Sequence, residues 1–255
     1  MVYEKKSGHI GSSFSIVEIL CYLYENFELM GGKDKLVLSK GHAVPAQYAI
    51  FQEMGQLTGH EFREIDSPLQ GHPHKFFYDG SGLHGGGKIS TGSIFHASTG
   101  SLGQGLSIAI GMALGKKLRG EEGIVFCILG DGECQEGQVD EAFRFIKNNH
   151  VTNILPIIDV NGYQSDSKTM GMIYSELWDF YQDNIPIDMH ACRDGNDIED
   201  ISRTVKDIIN NLSLGEGLGI LLMTQKGYPF EFMKGWHSTL PTEEQYQEAV
   251  RFLDG

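Results

Sequence analysis

Residues 125–143 read VFCILGDGECQEGQVDEAF. A strand-sized apolar run without alternation passes directly into Gly130-Asp131-Gly132, and a carboxylate-rich helical pattern follows. A strand that needs no alternation is covered on both faces, as in a parallel sheet. Glycines at its end let backbone approach a ligand closely. The helix N-terminus beyond them offers free N–H groups and positive dipole, a setting that suits a diphosphate. Asp131 then stands where a hard cation would bridge diphosphate oxygens, since Mg2+ seeks a carboxylate, carbonyls and water. Against this stands the plain-turn reading, because Gly and Asp are favoured in turns on conformational grounds alone.

The next apolar run, NILPIID (153–159), continues into DVNGYQ. Asn161 offers an amide oxygen there and Tyr163 a backbone carbonyl, both at the carboxyl edge where α/β folds bind ligands. DVNG alone is also an ordinary turn. Two such turns after two strand-like runs, with a helix between them, make a βαβ unit that a turn reading leaves unexplained. A third run, GILLM (219–223), predicts another buried strand. Between the runs, residues 102–118 are small and apolar on nearly every side, which predicts a buried helix. Residues 197–212 are amphipathic with Asp197 at the N-cap position, and 242–253 begin with Thr242 and Gln245 in capping-box spacing. The alternation predicts an α/β fold, a doubly wound and mostly parallel sheet flanked by helices. The Gly- and His-rich segment 70–99 reads as a long functional loop.

With 255 residues, 40% of them apolar, the chain can bury a sizeable core in one domain. Its net charge of -14 argues against nucleic acid or an anionic membrane surface as partner. Cys21, Cys127, Cys134 and Cys192 show no CxxC spacing and the N-terminus has no apolar signal core, so free thiols in a reducing cytoplasm are expected. No internal repeat or membrane-length apolar window is present.

GDGECQEGQVDEAFRF and NILPIIDVNGYQ, taken together, resemble the thiamine diphosphate motif of the transketolase family. That family's other signatures flank it in order: SGHIGSSFSIVEIL, LVLSKGHAVPAQYA, LQGHPH, STGSLGQGLSIAIGMAL and QKGYPFEFMKGWH. The resemblance implies that residues 1–255 form a single domain of the diphosphate-binding type, with thiamine diphosphate and Mg2+ as cofactors. It implies Asp131, Asn161 and the Tyr163 carbonyl as metal ligands. Around the cofactor it implies His42, Gly103, Gln104, Gly130, Asp131, Gly132, Glu133, Asn161 and His237. For catalysis it implies His9 and His72 at the sugar, His237, and Glu136 with Glu141 in an acidic network between the active sites of a dimer. The chemistry of the imidazoles agrees, since neutral histidines donate to phosphate or hydroxyl oxygens and relay protons near neutral pH. For Gly103 and Gly105, helix packing is an equally physical reason. His60, His150 and His190 fall in no motif and read as ordinary polar residues.

The chain departs from the family at Ile10, where proline is usual. It departs again at Ile94-Phe95-His96, where Gly-Val-Glu is usual, so that an acid is replaced by a base. The loop 78–95 is longer than family members show, which places the expected effect on substrate choice. Full-length members continue into a pyrimidine-binding domain carrying the glutamate that activates the cofactor, and into a C-terminal domain. The resemblance therefore implies a separate C-terminal partner chain, an α2β2 assembly, and ketol transfer from a ketose to an aldose. Two alternatives remain open: a 2-oxo acid donor, for which His96 and the loop leave room, and a non-catalytic cofactor-binding role.

Overall fold

The structure, a computed structural model, describes residues 2–6, 8–57, 95–97, 99–165, 168–169, 181, 185–212, 217–236 and 238–254. His72, His237 and most of the 78–95 loop lie outside the described residues.

Among the described residues five parallel strands form one sheet: β1 (Lys35–Leu38), β2 (Val125–Gly130), β3 (Ile154–Val160), β4 (Asp188–Cys192) and β5 (Leu218–Met223), in the order β1-β2-β3-β5-β4. The three apolar runs are β2, β3 and β5, at the centre of the sheet. Along them successive side chains serve opposite faces. Phe126 and Ile128 join a core with Leu155, Ile157 and Ile220, while Val125, Cys127 and Leu129 join another with Ile154, Ile158 and Leu221. That two-sided burial is why no alternation is visible in the sequence.

The first face is covered by α3 (Val17–Asn26), α4 (Val44–Glu53) and α7 (Ile198–Asn211), the second by α5 (Gln104–Arg119) and α6 (Gly137–Asn148). Short α1 (Val2–Lys5) and α2 (Ile10–Phe14) precede them, and α8 (Glu243–Leu253) follows β5. Asp197 caps α7 by accepting from the Glu199 N–H at 3.0 Å. Thr242 and Gln245 close the capping box of α8. All four cysteines are free thiols. Among the described residues no helix is long and apolar enough to cross a membrane.

Three expectations need correction. The sequence pattern does not mark β1 and β4 as strands. β4 is a half-exposed edge whose residues are recruited by pairing with β5, since DMHAC carries no strand pattern of its own. The helix expected to be buried on nearly every side is buried on one: Leu106, Ala109, Ile110 and Ala113 face the sheet, whereas Leu118 is 88% exposed.

The third correction is His96. Its Nδ1 accepts the Leu36 N–H at 3.0 Å, and the ring also bonds the Leu29 backbone. Thr99 Oγ1 donates to the Leu38 carbonyl. These residues satisfy the open side of β1, which would otherwise present unpaired backbone groups. Burial, with Lys35 nearby, pushes the His96 pKa down to about 4, so the ring is neutral and structural. It is therefore no substrate-facing base in place of the family's acid.

A small third core of Phe230, Met233 and Ala249 packs with Ile10, Phe14 and Trp236. It fastens α2 and α8 to the segment after β5. A Cβ on Gly11 would lie 2.6 Å from the Trp236 carbonyl oxygen, so only glycine permits this approach.

Candidate active site

The carboxyl ends of β1, β2, β3 and β5 open onto a cleft of about 370 Å3. Its lining includes Lys40, His42, Gly130, Asp131, Asn161 and Lys226. β2 delivers Asp131, which is 2% exposed. Its Oδ1 accepts the Gly132 N–H at 2.8 Å, and its Oδ2 accepts the Gly162 N–H at 2.7 Å and the Thr169 hydroxyl at 3.0 Å. The carboxylate thus ties the turn after β2 to the turn after β3. Gly162 takes φ 79, a left-handed conformation that suits glycine. Asn161 and Tyr163 flank it, and the Tyr163 N–H donates to Asn161 Oδ1 at 3.1 Å. The three expected metal ligands are therefore brought to one double turn.

Burial first, and the neighbouring Asp159 carboxylate second, raise the Asp131 pKa to about 6. A buried carboxylate in that condition is one that a bound cation would relieve. A buried cation also lines the cleft. Lys226 is 1% exposed, and its pKa is lowered to about 8 by burial and by Lys40. A buried ammonium beside a cleft accommodates an anion, and Lys40 nearby is paired with Asp159. The donor set therefore fits a metal-bound diphosphate: hard oxygen ligands at the turns after β2 and β3, with the Lys226 ammonium beside them.

Other expected residues take varied places. His42 lines the cleft, and His9, at the N-cap of α2, packs edge-on against it with ring centroids 5.2 Å apart. Glu136 is exposed on the cleft rim at the N-cap of α6, and Glu141 is exposed further along that helix. Glu133 reaches the cleft but spends its carboxylate inward. It accepts from the Ser39 hydroxyl, from the Gly103 N–H at 2.8 Å and from the Gly130 N–H at 3.1 Å. Gly103, with φ 86, starts α5, but neither it nor Gln104 lines the cleft; Leu102 does. Gly105 is explained by packing, since a Cβ there would meet Ser39 Oγ at 2.3 Å. Gly132 also has a packing reason, because its Cβ would lie 2.7 Å from that of Gln164.

Sequence reasoning missed Ser12, Lys40, Gln164 and Lys226 on the cleft wall. Lys40 and Lys226 were within reach, for each follows a strand by a few residues, in LVLSKGH and LLMTQKG. Lys226 can neutralise diphosphate charge that one metal ion leaves over, whereas Lys40 is paired with the Asp159 carboxylate.

The family model for the transketolase, thiamine diphosphate binding domain, matches residues 1–213. The chain belongs to the transketolase family. The cofactor of this domain is thiamine diphosphate. An apulose-4-phosphate transketolase subunit of Phocaeicola vulgatus is 31% identical, with 98% of this chain and 88% of that one covered. The 6-deoxy-6-sulfo-D-fructose transketolase subunit SqwG of a Clostridium species is 30% identical, over 97% of this chain and 88% of that one. Among solved structures, transketolase from Pichia stipitis superposes with a TM-score of 0.82 at 20% identity, covering 99% of this chain. The Campylobacter jejuni enzyme gives 0.78 at 22%, covering 100% of this chain. These likenesses show the thiamine diphosphate-binding fold. The chain spans 38% and 40% of those two enzymes' chains.

Proposed function

We propose that this chain is the N-terminal subunit of a two-chain transketolase, transferring a two-carbon ketol unit from a ketose donor to an aldose acceptor. The observation that carries the reading is the meeting of a buried carboxylate, an amide, a turn carbonyl and two buried lysines in one cleft, on a transketolase-family domain. Relatives of similar extent are named as transketolase subunits, which supports a partner chain.

Asp131, Asn161 and the Tyr163 carbonyl would hold Mg2+, while His42, Lys226 and the backbone at Gly132 would receive the diphosphate. When bound, thiamine diphosphate supplies the nucleophilic carbon that takes up and releases the two-carbon unit. The chain's own part is to anchor one end of the cofactor, exclude water around it and offer imidazoles to the sugar. His9, against His42, would bond donor hydroxyls and hold a proton there, a role also assigned to His72 from its motif. His237 would serve both the diphosphate and the sugar. Glu136, exposed at the rim, would meet the partner. That partner would be a C-terminal chain with the pyrimidine-binding domain, in an α2β2 assembly whose active sites lie between chains.

A ketose bearing an anionic end group is the proposed donor, because the names of both subunit relatives specify sugars with a phosphate or a sulfonate. The 2-oxo acid alternative loses its main support, since His96 is committed to the edge of β1. The test is ketol transfer by the purified chain with excess thiamine diphosphate and Mg2+, alone and with its partner. Activity is expected only in the mixture and saturates near equal stoichiometry. Robust turnover by the chain alone overturns the two-chain reading.

A further inference from the structure

Asp159 is the last acidic residue of β3 and is wholly buried. Its carboxylate gathers four donors, three of them from distant parts of the chain. Oδ2 accepts from Ser15 Oγ at 2.7 Å, from Asn161 Nδ2 at 2.8 Å and from Lys40 Nζ, while Oδ1 accepts from Thr224 Oγ1. The ion pair with Lys40 is buried on both sides, with side-chain exposures of 1% and 0%. Three donors besides Asn161 hold this carboxylate in one orientation. The part of Asn161 that faces it is the amide nitrogen.

The other end of that amide is then determined. Asn161 Oδ1 turns toward the Gly162–Tyr163 turn and accepts the Tyr163 N–H at 3.1 Å. A carbonyl oxygen has a second lone pair, which remains for a cation. An amide free to rotate by half a turn would present NH2 there instead, and a donor N–H group repels a metal ion. We propose that Asp159 is a positioning residue for the metal: locked by Lys40, Ser15 and Thr224, it fixes the oxygen face of Asn161 toward the cation. This rests on the proposed role of Asn161 as a metal ligand.

The test uses the full chain and Mg2+-dependent binding of thiamine diphosphate, followed by calorimetry at millimolar ligand and independent of turnover. Asp159→Asn keeps the shape but replaces one of the two accepting oxygens by an NH2 that donates. Residues that orient metal ligands commonly contribute roughly 10- to 100-fold to metal affinity, and a weakening of that order is expected. A general loss of stability would lower the melting temperature as well, so the deciding readout is a double-mutant cycle with Asn161→Ala. In the Asn161→Ala background the Asp159→Asn change has nothing left to orient, and its effect on Mg2+ dependence should vanish while its effect on melting persists. Thr224→Val, which removes one of the four donors at similar volume, repeats the cycle with a smaller expected effect if Asp159→Asn does not yield folded chain. Equal Mg2+ effects of either change in both backgrounds overturn the positioning role. An Asn161→Ala variant with unaltered Mg2+ dependence overturns instead the assignment of Asn161 itself.

Discussion

Lys226 Nζ donates to the carbonyl oxygen of Tyr163 at 3.4 Å. The ammonium after β5 is thereby held on the turn that would also supply a metal ligand, and cation and anion halves of the cleft share one backbone oxygen. Lys226→Met keeps most of the buried stem and removes the charge. A hydrogen bond to a charged group contributes about 1.5–3 kcal/mol, so affinity for thiamine diphosphate should fall roughly 10- to 100-fold. Calorimetric titration checks it; unchanged affinity would place the diphosphate away from Lys226.

Asp131→Ala removes the only acidic side chain in the proposed ligand set. Oxygen ligands dominate the affinity of hard cations, so the Mg2+ dependence of cofactor binding should disappear in the assembled enzyme. The same titration at increasing Mg2+ reads this directly. Persistent Mg2+ dependence would mean that the metal binds elsewhere.

Glu133 joins three donors from the ends of β1, β2 and the start of α5. Glu133→Gln substitutes one accepting oxygen by a donating NH2 that faces a backbone N–H or a hydroxyl. Leaving a buried donor unsatisfied costs about 1–3 kcal/mol, and urea denaturation should show a loss of that size. A variant as stable as the parent would show that the three bonds contribute no net stability.

Gly132 and Gly130 should differ although they are neighbours in one motif. A Cβ at 132 meets Gln164 Cβ at 2.7 Å, whereas one at 130 finds its nearest neighbour, Lys40 Cβ, at 3.9 Å. Gly132→Ala is expected to cost about 1–3 kcal/mol through overpacking. Gly130→Ala should stay within about 0.5 kcal/mol. Melting of both variants without ligand separates the two cases.

His96 gives the fold a defined acid sensitivity. Its folded pKa of about 4 lies below the ordinary histidine value of 6.5. As pH falls below about 6.5 the unfolded chain takes up the proton first, so this contribution to stability is full above that pH and is lost progressively down to about 4. Denaturation midpoints between pH 7 and 4.5 should therefore fall less steeply for His96→Gln than for the parent. Parallel pH profiles would contradict a buried neutral imidazole.

Local chemistry made much of this protein legible from its sequence. The unbroken apolar runs of β2, β3 and β5, the glycine-bearing turns behind two of them, and the caps at Asp197 and Thr242 depend on contacts within a few residues, which a pattern can display. Asp131, Asn161 and Tyr163 could be picked out because each sits at a fixed offset from a strand end. Tertiary structure alone decided the rest. β4 exists by pairing with β5, the outer face of α5 is open, and His96 is a structural cover for β1. Asp159 is a hub only because Ser15 and Lys40, 144 and 119 positions away, arrive at its carboxylate. Its bonds to Ser15, Lys40 and Thr224 depend on where folding brings distant parts of the chain together, and no local pattern carries that information.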